Sequence, residues 1–135
     1  MPDRRDLKLD MYEISPRAYR ELYYFCLQYG EMKQRLRDIY SVASGRISAM
    51  PKGTDISDST AKKAMAAAQL RTNIELIERA ARQADDEIDG YILRNVTEGA
   101  GYTYLRHAMN MPCGRNKFYK ARRKFFYILY KNRGN

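Results

Sequence analysis

The chain of 135 residues has no tryptophan, two cysteines, four prolines and eight glycines. A fold rich in sheet has many tight turns, and tight turns use glycine and proline. The small number of both residues therefore disfavours such a fold. Cys26 and Cys113 form no CxxC pair and would make a meagre disulfide framework, which favours a reduced, cytoplasmic protein. No segment approaches the ~18 apolar residues of a membrane span, and the polar N-terminus lacks the apolar stretch of a signal peptide. The length fits one domain, or a small domain with an appended arm.

Acidic residues are missing from the C-terminal part of the chain. Glu98 is the last of the 16 acidic residues, whereas nine of the 25 lysines and arginines follow it. The charges of residues 1–98 cancel, so the net charge of +9 lies entirely in residues 99–135. A block of one sign is commonly a solvated tail, but a disordered tail would not carry the phenylalanines and tyrosines interleaved here. The pattern predicts a folded element that faces nucleic acid or an anionic membrane.

After a polar lead-in at 1–14, residues 15–98 are predicted to form a helical scaffold. Ser15 and Pro16 suit the cap and first turn of a helix over about 15–44, which Gly45 would end. Its apolar positions alternate steps of four and three, as in a heptad pattern. They are Ala18, Leu22, Phe25, Tyr29, Met32, Leu36, Ile39 and Ala43.

A loop at 45–56 leads to a second predicted helix over about 57–97, with Ser57 and Asp58 as candidate caps. This stretch is either one helix or two, because Asp85-Asp86-Glu87 could cap a fresh helix. Its stripe consists of Ala67, Leu70, Ile74, Ile77, Ala81, Ala84, Ile88 and Tyr91. The two stripes predict a long antiparallel hairpin whose faces form an intramolecular core, a homodimer interface, or both.

Residues 99–135 carry the pattern of a basic helix-turn-helix segment. Thr103 can cap a short helix to about Asn110, the 112–114 turn must break it, and a second helix covers 114–130. His107 occupies a usually apolar position and Pro112 replaces the common glycine, so the pattern is imperfect. The predicted core of the motif consists of Ala108, Met111, Cys113, Phe118, Ala121, Phe125 and Leu129.

The outward face of the second helix combines amide, phenol and cationic side chains, which suit base edges and phosphates. The candidates for reading bases are Arg115, Asn116, Tyr119, Lys120 and Arg123. The candidates for phosphate contact are Thr103, Lys117, Lys124, Tyr127 and Lys131. An amphipathic membrane helix would keep its apolar face free, whereas this face is predicted to close the motif, so DNA is favoured over a membrane.

The 103–130 segment resembles the region-4-type helix-turn-helix of sigma factors and, more closely, the small phage late-gene transcriptional regulators of the RinA and ArpU type. The similarity is carried by Thr103-Tyr104 and by the 114–125 run, GRNKFYKARRKF; the 47–53 loop and the 57–64 segment are also similar. Gly114 and Ala121 depart from the serine and arginine that the family has there. The resemblance implies a DNA-binding activator of phage transcription.

Residue types for catalysis are sparse. The single histidine, His107, lies inside the predicted motif with no acidic residue after it, and a structural role suits it better than a catalytic one. Neighbouring carboxylates at 85–89 diverge around a helix and would not converge on one metal ion. No phosphate-binding glycine loop and no GxSxG motif occurs. We therefore expect a non-enzyme without cofactor or metal.

Together these patterns predict an all-α protein in which a helical hairpin carries a C-terminal helix-turn-helix. The predicted function is sequence-specific DNA binding in the regulation of phage or prophage genes, with helix 114–130 in the major groove of double-stranded DNA. RNA polymerase and a second copy of the chain are further candidate partners. The alternative is a helical structural or adaptor protein, or a small DNA-packaging subunit, with a non-specific basic anchor.

Overall fold

A computed structural model describes residues 13–48 and 56–134 of the chain. These residues form six α-helices and no strand, so the all-α prediction is confirmed. The helices are α1 (Pro16–Leu27), α2 (Tyr29–Ser48), α3 (Ile56–Ala84), α4 (Asp89–Glu98), α5 (Tyr102–His107) and α6 (Arg115–Asn132). Most of the predicted lead-in and most of the predicted 45–56 loop lie outside the described residues.

The predicted helix over 15–44 is two helices in the structure. Ser15 caps α1 as expected, since its hydroxyl accepts a hydrogen bond from the Ala18 N–H at 3.1 Å. At the other end, the Gln28 N–H donates to the Phe25 carbonyl, three residues back, at 3.2 Å. This bond turns the chain more tightly than an α-helical bond does, and it separates α1 from α2. The expected end at Gly45 is wrong, because α2 continues to Ser48.

The 57–97 stretch contains a break, which was one of its two predicted alternatives. Asp85 accepts a hydrogen bond from the Glu87 N–H at 2.9 Å, and this local bond competes with helix continuation. The cap residue of α4 is Ile88, without a side-chain bond, so the acidic run closes the turn rather than capping a helix. Ser57 and Asp58 lie inside α3, which begins at Ile56, so they are not its cap.

The short helix α5 is displaced from its predicted span of 103–110. Gly101 is its cap residue, so Thr103 lies in the first turn and does not cap. The N–H groups of Ala108 and Met109 both bond the Tyr104 carbonyl, which closes the helix. Asn110 then has a φ of 58°, a left-handed conformation that asparagine tolerates. The helix therefore ends at His107.

The chain divides into two compact units. The first unit contains α1, α3 from Leu76 onward, α4, α5 and α6, and contacts join α1, α4 and α6 to one another. Its largest fully buried side chains are Tyr19, Leu22, Ile77, Ile88, Ile92, Leu105, Met111, Phe118, Phe125, Phe126 and Leu129. This core fixes one face of α6 and leaves the other face at the surface.

The second unit spans Gly30–Glu75 and contains α2 and the first part of α3. Met32 and Ala67 are buried there. Arg71 donates to the Tyr40 hydroxyl, and its guanidinium lies 5.8 Å from the centre of that ring. These contacts connect α2 with α3, while the complete antiparallel hairpin stays a prediction.

Candidate nucleic-acid interface

Helix α6 has a buried face and a basic face. Its buried side chains are Phe118, Ala121, Arg122, Phe125, Phe126 and Leu129. Four of the six belong to the predicted core of the motif, and so does Met111, which is also fully buried. The hydrophobic effect therefore fixes which side of α6 faces inward.

Two predicted core residues are placed differently. Ala108 is exposed, so its assignment to the core is wrong: it follows the last turn of α5, and the fully buried Leu105 packs inside instead. Cys113 is only half-buried, and that burial raises the pKa of its thiol. Leu105 and Phe126 were absent from the predicted core, although both are apolar residues within the segment.

Arg122 lies in the core although it belongs to the basic block of the sequence. It is 5% exposed, its Nε donates to Asn95 Oδ1 and its Nη1 donates to the Tyr19 hydroxyl at 3.3 Å. The guanidinium also lies 5.0 Å from the centre of the Phe126 ring. Because Asn95 is on α4 and Tyr19 on α1, this arginine connects three helices rather than facing a ligand.

At the first turn of α6, Arg115 stacks on an aromatic ring of α5. Its guanidinium carbon is 4.6 Å from the centre of the Tyr102 ring. Tyr102 in turn contacts Phe118 and Tyr119, at 5.8 Å and 6.4 Å between ring centres. Tyr119 is therefore half-buried against other rings, whereas Arg115 stays exposed at the surface.

Lys117 is paired with the turn between α3 and α4. Its Nζ lies 2.7 Å from Glu87 Oε2 and 3.9 Å from Asp85 Oδ2. The hydrogen bond to Glu87 raises the pKa of the lysine. A phosphate contact by Lys117 would therefore compete with these carboxylates.

Three further cations of the basic block also have contacts within the protein. Arg133 pairs with Glu21 at 2.6 Å and lies 4.0 Å from the centre of the Phe25 ring. Arg106 donates to the Met111 carbonyl at 3.2 Å. Lys131 lies 5.7 Å from the centre of the Tyr127 ring and is exposed.

The outer side of α6, from its first turn to its middle, presents polar groups with no partner in the described part of the chain. Asn116, Lys120 and Lys124 are exposed and Arg123 is half-buried. Their spacing of three and four residues places them on one side of the helix. Thr103, the predicted phosphate contact on α5, is exposed as well. We call the set Asn116, Lys120, Arg123 and Lys124 the basic face of α6; Arg115, exposed in the first turn, lies beside this face rather than on it.

Other kinds of site have little support within residues 13–48 and 56–134. No three histidine, cysteine, aspartate or glutamate side chains there come together as metal ligands. No helix in these ranges is both long enough and apolar enough to span a membrane. His107 is exposed at the end of α5.

No protein-family model, curated protein or solved structure matches this chain. The resemblance to phage regulators therefore rests on Thr103-Tyr104 and on the 47–53, 57–64 and 114–125 segments.

Proposed function

We propose that this chain is a sequence-specific DNA-binding protein that regulates transcription of phage or prophage genes. In this proposal α6 enters the major groove and α5 precedes it as the first helix of a helix-turn-helix. The supporting observation is the basic face of α6, whose amide and cationic groups are accessible while its apolar side is buried. Asparagine and arginine are the side chains that pair best with adenine and guanine edges.

The burial of α6 favours DNA over an anionic membrane as the polyanion. An interfacial membrane helix inserts its own apolar face among the lipids. In α6 the phenylalanines and Leu129 are fully buried in the first unit. The accessible side offers donors and charge, which suit grooves and phosphates.

The expected electrostatic attraction is smaller than the charge of the C-terminal block suggests. Arg122 is buried, and Lys117 and Arg133 are ion-paired. Six cations of the block keep an uncompensated charge: Arg106, whose hydrogen bond to a neutral carbonyl leaves its charge in place, Arg115, Lys120, Arg123, Lys124 and Lys131. Each phosphate contact contributes about −0.9 to the slope of log affinity against log salt, so contacts by these six should give a slope no steeper than about −5.4. Nine contacts would give about −8.

Binding isotherms on two duplexes test the proposal. A preferred duplex is first enriched from a random pool, and its affinity is compared with that of a random duplex at three salt concentrations. A regulator should prefer its site by about 10³ or more. A ratio near one would remove the regulator function and favour the structural or packaging alternative.

Two substitutions on α6 distinguish base-specific contacts from general electrostatic attraction to DNA. Asn116→Ala should cost about 1–3 kcal/mol on the preferred duplex and little on random DNA. Lys131→Ala is the control near the far end of the helix; it should weaken both duplexes equally and reduce the salt slope by about one. Equal losses on both duplexes for Asn116→Ala and Lys120→Ala would mean that α6 is a non-specific anchor.

A further inference from the structure

The first residues of α5 and α6 form an ordered cation–aromatic stack. The Arg115 guanidinium lies 4.6 Å from the centre of the Tyr102 ring. That ring contacts Phe118, which is fully buried, at 5.8 Å between centres. Tyr119 contacts the other two rings at 6.4 Å and 5.1 Å. The guanidinium of an exposed arginine therefore lies over a ring that itself contacts a side chain of the core.

Stacking leaves the hydrogen-bonding edge of the guanidinium available. Arg115 has no carboxylate or other acceptor among the residues that the structure describes, whereas Lys117, two positions on, is held by Glu87 and Asp85. An arginine presents its N–H donors in a rigid planar fork, and an aromatic ring contacts the face of that plane rather than its edge. The Arg115 guanidinium is thus held over the Tyr102 ring and has no hydrogen-bond acceptor among the described residues.

We propose that Arg115 is a specificity-determining residue of α6 and that it binds the O6 and N7 atoms of a guanine. This inference rests on the proposed DNA-binding function. The planar fork matches these two acceptors in the major groove, and the pairing is the commonest specific contact between proteins and DNA. Orientation by Tyr102 lowers the side-chain entropy that binding would otherwise cost. Arginine can also bind a phosphate with two hydrogen bonds, so the experiment must distinguish a contact with the base from a contact with the DNA backbone.

The test replaces each guanine of the enriched duplex, one at a time, by 7-deazaguanine, which lacks the N7 acceptor. A bidentate pair contributes about 5- to 150-fold to discrimination, so the loss of one of its two bonds should lower affinity by about 2- to 12-fold. We expect this loss at one guanine for the unsubstituted protein and no loss there for Arg115→Ala. Lys131→Ala is the matched control and should keep the full sensitivity.

Two variants of Tyr102 test the positioning role of its ring. Tyr102→Phe keeps the ring and should retain the sensitivity to 7-deazaguanine, whereas Tyr102→Leu should reduce it. Far-UV circular dichroism shows whether the leucine variant is folded. If the leucine variant is unfolded, the comparison of Arg115→Ala with the unsubstituted protein tests the guanine contact by itself.

Three results would overturn the inference, and they are distinguishable from one another. If Arg115→Ala keeps the sensitivity at every guanine, another residue reads that base. If Arg115→Ala weakens preferred and random duplexes equally and reduces the salt slope by about one, Arg115 contacts a phosphate. In both cases the proposed function stands. If no duplex is enriched from the random pool, the proposed function fails first and the inference with it.

Discussion

Two adjacent arginines of α6 should behave in opposite ways. Arg122 is buried and bonded to Asn95 and Tyr19, whereas Arg123 is half-buried and has no partner in the described residues. We expect Arg122→Met to lower the free energy of unfolding by about 2–4 kcal/mol, and Arg123→Met to change it by less than about 0.5 kcal/mol. Both substitutions remove one positive charge and keep a long aliphatic side chain.

The magnitude for Arg122 follows from its contacts. The bond from Nε to Asn95 is charge-assisted and contributes about 1.5–3 kcal/mol. The bond to the Tyr19 hydroxyl is long, at 3.3 Å, and contributes about 0.5–1.5 kcal/mol. The contact with the Phe126 ring adds about 1 kcal/mol. Removing a buried guanidinium also relieves part of its desolvation cost, so the net loss is smaller than the sum of these contributions.

Urea unfolding followed by far-UV circular dichroism measures both variants. A fall in the midpoint with an unchanged slope would report lost stability rather than a changed unfolded state. On DNA, Arg123→Met should reduce the salt slope by about one, while folded Arg122→Met should leave that slope unchanged. Equal stability for the two variants, or a reduced salt slope for Arg122→Met, would refute the assignment of Arg122 to the core.

Three further predictions concern the acidic turn, the buried thiol and the oligomeric state. Glu87→Gln removes the nearer of the two carboxylates paired with Lys117, so affinity for any duplex should rise and the salt slope should steepen by up to about one. The effect should vanish in a Lys117→Ala background; if it persists there, its cause is the loss of a negative charge that repels DNA rather than the release of Lys117. Burial raises the pKa of the Cys26 thiol above its ordinary value of 9.0. Above pH 9 only the unfolded chain loses this proton, so the free energy of unfolding should fall by up to about 1.4 kcal/mol per pH unit because of Cys26. Urea midpoints at pH 8 and pH 10.5 should differ less for Cys26→Ala, and an equal difference would contradict this. Light scattering should find two copies on a palindromic duplex, and a strict monomer both free and on DNA would remove the dimer from the proposal.

The helical class was predictable because apolar spacing alone defines it, but the helix boundaries depend on single hydrogen bonds. The stripe from Ala18 to Ile39 continues in register across Gln28, so nothing in the periodicity marks the end of α1. The break near Asp85 was visible as an acidic run, yet its cause is a bond to the Glu87 N–H rather than capping of α4. Periodicity indicates which face is buried; it does not show where local bonds interrupt a helix.

In the candidate site, the sequence identified the basic helix and most of its apolar positions. Phe118, Ala121, Phe125 and Leu129 share a face by spacing alone, and all four are buried. Partners from distant segments could not be predicted in this way. Glu87 is 30 residues from Lys117, and Glu21 is 112 residues from Arg133. Ion pairing over such distances follows from the fold, so a count of charges overstates the cations that have no ion-pair partner in the described part of the protein.

Arg122 links the stability of the protein to the proposed function. A helix that reads bases needs its accessible groups held in register, and that requires support from the opposite side. Apolar packing alone resists separation of helices better than it resists sliding or rotation, because the hydrophobic effect has no preferred direction. The bonds from Arg122 to α4 and α1 are directional and connect α6 to two other helices. A positive charge inside the core can therefore help to orient the charges on the outside, and it would do so without contacting DNA.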